Sequence, residues 1–319
     1  MKDMSRRSLA RAVTLVLFVT GAVAAMSGTS SAAKVLYRSI PKKAQALPAL
    51  GFACCQVSQF GGAITLSNQP TVKKGKDVFT IVVGLDEYNC EKGSWYTNGK
   101  PECTTAPGAT FTWPVTLRVN NLGPGNAVGE LLAEETKTFT MPYRPSQNNA
   151  KCQGAHSVPN GPENYGAWYD QKTKECYIDN YFPVSWTLPI ANLKQTAIIS
   201  VAYNTTTYGA EPQGAKPCTE EKNGTETYDN CPYDSLNVGI NAIYKKIGPG
   251  EEFEAQPTGP SVGTDPLPEE VFLNSQSSVY YCENAAPGHF AATGTYPSGP
   301  KAGKGCWLYE QPAIEVKKP

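Results

Sequence analysis

The sequence predicts an all-β protein, an antiparallel β-sandwich of the jelly-roll kind with disulfide-tied rim loops. Three observations predict it. Short apolar segments bounded by turn-forming residues dominate a chain of 319 residues that contains 29 Gly and 26 Pro. Helical periodicity is nearly absent, and many short strands without helices between them favour two packed antiparallel sheets. Most of the 10 cysteines also fall into local pairs within loop-like intervals.

Residues 1–33 read as an export signal rather than as part of the fold. Basic residues near the start precede an apolar stretch over 12–26, and small residues follow it up to Ala33. Cleavage after Ala33 fits the small-residue rule, and the position after Ala25 is the second choice. Residues 5–9 also resemble a twin-arginine signal, so both export routes stay open. Ordinary secretion suits a cysteine-rich chain better, because such a chain oxidises more easily after it leaves the cytosol.

Charge and hydropathy exclude several classes of protein. The precursor has 28 basic and 28 acidic residues, and loss of the signal leaves about three more negative than positive charges. No basic surplus is available for a nucleic-acid backbone. Beyond residue 26 no apolar run approaches the roughly 20 residues that span a bilayer. The sequence therefore predicts one secreted domain, residues 34–319, without a membrane span.

The strands of this domain are predicted from short apolar or alternating segments that end at Gly, Pro or Asn. In chain order they cover residues 57–67, 77–85, 112–119, 127–141, 183–188, 195–203, 235–244, 271–281 and 313–316. Residues 130–135 are the one stretch that also fits a helix. Residues 248–270, rich in Pro, Gly and Glu, are predicted as a long surface loop rather than a linker, because the strand pattern resumes at Val271.

Eight cysteines form four local pairs by spacing, and each pair would close one rim loop. The pairs are Cys90 with Cys103, Cys152 with Cys176, Cys218 with Cys231, and Cys282 with Cys306. Eight cysteines allow 105 pairings, so sequence alone leaves the connectivity open. The spacings of 13 and 24 residues between paired cysteines each occur twice, which raises the hypothesis of an internal duplication of the chain.

Cys54 and Cys55 are adjacent in the sequence and belong to none of these four pairs. They form either a strained vicinal disulfide or two separate cysteines within a strand. Zinc binding is disfavoured, because the two histidines, His156 and His289, stand in no ligand-like spacing with them. No cofactor is predicted. A calcium ion held by rim-loop oxygens suits such a fold, although no motif identifies a site.

Several segments resemble a group of secreted actinobacterial proteins of unknown function. The segments that carry the resemblance best are MPYRPS (141–146), AYNTTTYG (202–209), YDSLNV (233–238) and PSVGTD (260–265). The resemblance covers most of the chain after the signal. It implies export and a β-rich extracellular domain, and it implies no particular chemistry.

The segment GPSVG at 259–263 matches the nucleophile elbow of hydrolases, with Asp265 and His289 following in the hydrolase order. An elbow joins a strand to a helix, whereas this segment contains Pro260 and runs into a Pro-rich stretch. A turn is therefore the favoured interpretation. The acidic pairs Asp86 with Glu87 and Glu134 with Glu135 are no stronger candidates for sugar hydrolysis than other acidic residues. The distance between two catalytic carboxyl groups is a distance in space, which the sequence does not reveal.

Three tryptophans are the candidate ligand-binding residues. Trp95, Trp168 and Trp307 lie in or beside the proposed disulfide loops, where exposed rings would stack on the apolar faces of sugars. The alternative is that these rings pack on disulfides and on the edge of the core. Trp113 and Trp186 lie inside apolar strands and are predicted to belong to the core.

Taken together, the sequence predicts a secreted, non-enzymatic module for binding or adhesion at the cell exterior, with a polysaccharide as the favoured ligand. One alternative is an extracellular glycan hydrolase that uses carboxylates or a metal. A cleft with two acids about 5 to 10 Å apart would favour it. The other alternative is an inert structural component of the cell exterior, which predicts neither ligand nor cleft.

Overall fold

A computed structural model describes most of the chain after residue 32, within one compact unit, Ala33–Pro319. The described residues are 33–40, 49–50, 57–68, 77–88, 90–92, 103–152, 167–174, 176–177, 179–203, 220–223, 226–229, 236–246, 253–257, 259–275, 282, 288–305 and 310–319. The predicted signal, residues 1–33, lies outside them except for Ala33.

The described chain is all-β and antiparallel, as predicted. Its strands are β1 Lys34–Arg38, β2 Ala49–Leu50, β3 Val57–Thr65, β4 Val78–Glu87, β5 Thr110–Leu122, β6 Val128–Pro142, β7 Trp168–Tyr169, β8 Cys176–Tyr177, β9 Asn180–Pro189, β10 Thr196–Ala202, β11 Glu220–Asn223, β12 Glu226–Asp229, β13 Leu236–Gly239, β14 Ala242–Lys246, β15 Phe253–Pro257, β16 Phe272–Ser275, β17 Ala291–Ala292 and β18 Ile314–Lys318. The described helical elements are a single turn, α1 Asn149–Cys152, and the 3-10 turn Pro124–Asn126.

The structure confirms the predicted strand 127–141 over its helical alternative, and it overturns the predicted loop 248–270 in part. Residues 130–135, the stretch that fits a helix, lie within β6, where Glu134 pairs with Arg118 of β5 across the sheet. Pairing along the whole β5–β6 hairpin overrides the local helical preference of this acidic stretch. The predicted loop 248–270 contains strand β15, which pairs with β14 from Ala242↔Pro257 to Lys246↔Phe253.

The first large sheet is organised around β4. Strand β9 pairs with β4 along its full length, from Val78↔Pro189 to Glu87↔Asn180. On the other side of β4, β18 and β13 lie end to end, with Ile314↔Val83 and Leu236↔Glu87 as their facing pairs. Strand β1 pairs with β18, and β2 pairs with β13. This sheet therefore has six strands.

The second large sheet also has six strands, in the order β17-β16-β3-β10-β5-β6. Eight strands of the two sheets form the arrays β1-β18-β4-β9 and β3-β10-β5-β6. Taken along the chain, these eight strands alternate between the sheets except at the β5–β6 hairpin. The order is compatible with the predicted jelly roll. That finer classification stays a prediction, because β13, β16 and β17 extend the sheets between β10 and β18.

One hydrophobic core joins the two sheets. Phe79, Ile81, Val83 and Leu85 alternate along β4 and are at most 1% exposed. They share one buried cluster with residues of β3, β5 and β10 from the other sheet. Strand alternation places every second side chain on this inner face, so the two sheets form a sandwich.

The two tryptophans predicted for the core are buried there. Trp113 in β5 is 3% exposed, and Trp186 in β9 is 0% exposed. Phe139 of β6 packs edge-to-face on Trp186, with ring centroids 4.9 Å apart. Aromatic burial of this kind stabilises the contact between the edges of the two sheets.

Two of the predicted disulfides are present. Cys90 pairs with Cys103 in the connection from β4 to β5, with Cα atoms 5.5 Å apart. Cys152 pairs with Cys176 in the connection from β6 to β9, with Cα atoms 5.8 Å apart. Both loops lie at one end of the sandwich, as the prediction of disulfide-tied rim loops requires.

The remaining cysteines are described only in part. Cys282 is disulfide-bonded and 2% exposed, and its partner lies outside the described residues, as does the predicted partner Cys306. Cys54, Cys55, Cys218 and Cys231 also lie outside the described residues. Disulfides form and persist in oxidising environments, so the folded chain belongs to an oxidising compartment. Within the described residues, no helix has both the length and the apolar character needed to cross a bilayer.

The inner and outer faces of β4 make a matched test of the sandwich. Val83 faces the core and is 1% exposed, whereas Val78 faces outward and is 38% exposed. Val83→Ala should lower the free energy of unfolding by about 2 kcal/mol, because two methyl groups leave a packed core. Val78→Ala should change it by less than about 0.5 kcal/mol. Urea denaturation of both variants measures the difference, and equal losses would contradict the assignment of the two faces.

Candidate functional site

Of the three tryptophans proposed to bind a ligand, the structure describes Trp168. Its side chain is 7% exposed. Its indole N–H donates to the carbonyl oxygen of Asp179 at 2.6 Å, and its ring packs on Tyr177 with centroids 5.3 Å apart. Trp168 therefore presents no open face to a sugar in this structure. Trp95 and Trp307 lie outside the described residues.

A pocket lined by both polar and apolar groups lies elsewhere on the sandwich. It encloses about 290 Å³, close to the lower end of the range for small-molecule sites. Its described lining combines two prolines, two glycines and four polar residues. They are Gly259, Pro260, Gly263, Thr264, Asp265, Asn241, Pro268 and Gln311.

One wall of the pocket is the segment that resembles a nucleophile elbow. We call residues 259–265 the strap, because they form hydrogen bonds with both sheets. Val262 forms an antiparallel bridge with Arg38 of β1, and Thr264 forms one with Thr65 of β3. The Ser261 hydroxyl donates to the carbonyl oxygen of Arg38 at 3.3 Å. The strap opens no helix, since residues 266–271 form bends and turns, so it lacks the strand-to-helix geometry of a nucleophile elbow.

Backbone geometry explains the second glycine of the strap. Gly263 has a φ of +79°, in the left-handed region that favours glycine. A Cβ atom at this position would lie 2.5 Å from the carbonyl oxygen of Thr65 and 2.8 Å from Cδ2 of Tyr37. Glycine therefore lets the strap approach the strands of both sheets closely. The glycine spacing that suggested catalysis serves this contact instead.

Asp265 ends the strap and is the one ionisable residue in the described lining of the pocket. Its Oδ1 atom accepts a hydrogen bond from the Leu267 backbone N–H at 3.1 Å. Burial raises the pKa of the carboxyl group to about 6, and the hydrogen bond from Leu267 opposes that rise. A carboxylate with a raised pKa in a pocket is a common property of functional sites.

Gln311 supports the pocket from the segment before β18. It is 3% exposed, and its side-chain amide donates to the carbonyl oxygens of Leu267, at 2.8 Å, and of Glu270. The backbone carbonyl oxygen of Gln311 accepts from the Asn241 backbone N–H. These contacts hold the loop after Asp265 against the end of β13. No sequence pattern pointed to Asn241 or Gln311, because only tertiary contacts bring such distant segments together.

A second group of charged residues lies inside the fold. Arg144, after β6, and Glu87, in β4, are 0% exposed, and Asp179 is 5% exposed. Burial lowers the pKa of Arg144 to about 10, although the charges of Asp179 and Glu87 favour its cation. Burial likewise raises the pKa of Asp179 to about 7, against the attraction of Arg144. Such low exposure leaves no access for a ligand, so this cluster is structural.

The other acidic candidates do not assemble a catalytic pair in the described pocket. Asp86 and Glu87 are both 0% exposed, and Glu134 lies on the outer surface with Arg118. None of these acids, nor Glu135, lines the described pocket. Among the described residues, no group of three or more His, Cys, Asp or Glu side chains is placed to hold a metal ion.

A scan against protein-family models, a search of curated proteins and a search of solved structures find no match to this chain. The resemblance to secreted actinobacterial proteins stays a prediction. Function is therefore inferred from the geometry of the pocket itself.

Alanine at Gly263 tests the role of the strap, and Gly259 supplies the control. Both glycines have positive φ, but a Cβ at Gly259 meets no atom within 4 Å. Gly259→Ala should cost about 1 kcal/mol of unfolding free energy through backbone strain alone. Gly263→Ala should cost a further 1 to 3 kcal/mol or so, because the added methyl group meets Thr65 and Tyr37. Denaturant unfolding compares them, and equal costs would show that the close approach does not matter.

Proposed function

We propose that this protein is a secreted, non-enzymatic binding module whose pocket between the strap and Gln311 takes one sugar unit of an extracellular polysaccharide. The observation that carries the proposal is the pocket itself, a concave site lined by two proline rings and by the polar residues Thr264 and Asp265 among others. Concave sites with a largely apolar lining and a few polar groups are the usual places where small molecules bind.

The compartment supports an extracellular role. The disulfides Cys90–Cys103 and Cys152–Cys176 require oxidising conditions. The N-terminal sequence has the charge and hydropathy of an export signal. The resemblance to secreted actinobacterial proteins points to the same compartment. Secretion into the surroundings of a bacterial cell is therefore part of the proposal.

The lining of the pocket suits a polyhydroxylated unit. The hydroxyl of Thr264 and the carboxyl of Asp265 belong to residue types that donate to or accept from sugar hydroxyls. The ring of Pro260 offers the apolar surface on which the C–H face of a sugar packs. Asn241 and Gln311 are at most 4% exposed and support the wall behind these groups, so the site is largely formed before a ligand arrives.

Binding without catalysis is the better supported of the competing roles. The Ser261 hydroxyl in the strap is bonded to the Arg38 backbone, and no histidine is among the described lining residues. A glycosidase needs a second carboxyl group facing the first, and the described lining supplies Asp265 alone. An inert structural protein predicts no cleft, whereas this sandwich has one.

A glycan array probed with the disulfide-bonded protein tests this proposal, and Thr264→Val tests the position of the site. Removal of the Thr264 hydroxyl should weaken binding to the recognised glycan by about 2- to 10-fold, the value of one net hydrogen bond. The backbone bonds between Thr264 and Thr65 stay intact in this variant. Isothermal titration with the glycan found on the array measures the change.

Thr138→Val is the matched control, because Thr138 lies on the exposed face of β6. It should bind as the unmodified protein does. Uniform silence on the array with correctly oxidised protein would refute the sugar-binding proposal. Equal affinities of Thr264→Val and Thr138→Val would instead place the binding site outside this pocket. Release of reducing sugar from a bound glycan would favour the hydrolase alternative.

A further inference from the structure

We infer that the pocket selects a sugar unit carrying a positively charged amino group, so that the ligand is an amino sugar of a cationic polysaccharide. The inference rests on the proposed function and adds the charge of the ligand to it. It depends on which groups surround the Asp265 carboxylate in the folded protein.

Asp265 brings a negative charge into a pocket that is otherwise neutral. The other described lining residues are Gly, Pro, Thr, Asn and Gln, none of which ionises. The hydrogen bond to its carboxylate comes from a neutral group, the Leu267 backbone N–H. Within the described part of the chain, no Lys, Arg or His forms an ion pair with Asp265. The carboxylate therefore has room for a cationic partner from outside.

Two other buried charges in the described part of the protein have partners of opposite charge. The buried carboxylate of Glu315 is paired with Arg38 and Lys317. The buried cation of Arg144 is likewise stabilised by the charges of Asp179 and Glu87. Asp265 alone lines a cavity and lacks a described counter-charge. A desolvated carboxylate gains most from a ligand cation that also donates hydrogen bonds, and a primary ammonium group does both.

Other described titratable groups on the surrounding elements do not supply this counter-charge. They are Tyr37 and Arg38 in β1, Glu269 and Glu270 on the loop after the strap, and Glu310 before β18. The charge of Asp265 contributes to a raised pKa of Tyr37, after burial, which places the two groups near each other. The Arg38 side chain is occupied by Glu315. Glu269 accepts from the Gly305 backbone N–H, and Glu270 accepts from the Asn126 side chain.

Two glycosides that differ in one group test the selection. Methyl 6-amino-6-deoxy-β-glucoside carries an ammonium group where methyl β-glucoside carries a hydroxyl. Isothermal titration at pH 7.5 should give the amino glycoside an affinity at least about tenfold higher, as expected for a charged hydrogen bond over a neutral one. Asp265→Asn keeps the acceptor for Leu267 and removes the charge, so it should bring the ratio of the two affinities close to one.

A change of pH gives an independent readout. The pKa of Asp265 is raised to about 6, so the carboxylate is mostly ionised at pH 7.5 and mostly protonated at pH 5. The ammonium group stays protonated over this range, because aliphatic amines titrate well above it. The affinity for the amino glycoside should therefore fall by about tenfold from pH 7.5 to pH 5, and that for the neutral glycoside should change little.

Glu310→Gln is the control for a neighbouring carboxyl group. Burial raises the pKa of Glu310 to about 7, so it titrates in the same range, but it does not line the described pocket. This variant should keep both the preference for the amino glycoside and its pH dependence.

Three results would overturn the inference. They are equal affinities for the two glycosides, a preference that survives Asp265→Asn, and binding of neither glycoside. The proposed function is judged separately by the glycan array. Binding of neutral glycans that is sensitive to Thr264→Val would leave the proposed function standing while the inference about charge fails.

Discussion

The hydrogen bonds of the strap to both sheets are the constraint on which the site depends. The backbone of Arg38, in β1, bonds to Ser261 and Val262, at 2.7 and 3.0 Å. Thr65, at the end of β3, exchanges two backbone hydrogen bonds with Thr264, at 2.8 and 3.0 Å. Because β1 and β3 belong to different sheets, these bonds join the sandwich along one side. They also fix where Asp265 stands, one residue beyond the last bridge.

The buried charges around Arg144 and the buried charge of Asp265 lie in different environments. Arg144 lies with Glu87 and Asp179 inside the fold, where opposite charges offset the cost of desolvation. Asp265 receives one backbone hydrogen bond and keeps its charge beside a cavity. Folding alone gives no reason to leave a carboxylate in this state, since an amide would accept the same bond without the cost of a buried charge. Under the proposed function, a cationic ligand supplies the reason.

The sequence predicted the fold well because period-2 alternation is a strong local signal. Apolar residues at every second position of β4 and β10 indicate strands with one deeply buried face, and both strands lie in the sandwich. Loop composition and spacing likewise indicated the pairs Cys90–Cys103 and Cys152–Cys176. For residues 130–135 the structure confirms the predicted strand rather than its helical alternative, because the long β5–β6 hairpin decides their conformation.

The site was much harder to predict, since its residues come from segments far apart in the chain. Asp265 attracted attention only as a member of a catalytic triad, and its true neighbours are Asn241 and Gln311. The glycines at 259 and 263 were a real signal of unusual backbone, but the pattern they matched belongs to another fold. Trp168 was chosen for its place in a loop, and the structure buries it against Asp179 and Tyr177. Exposure of a single loop residue is decided by contacts that sequence spacing does not encode.

Native-state hydrogen exchange at the strap tests the central claim most directly. The measurement compares the amides of Arg38, Thr65 and Thr264 with the amide of Ile199 in the central strand β10. If the strap is part of the cooperative structure that joins the sheets, all four amides should exchange with the free energy of global unfolding. Exchange of the strap amides through local opening, at a free energy well below that of Ile199, would contradict the account.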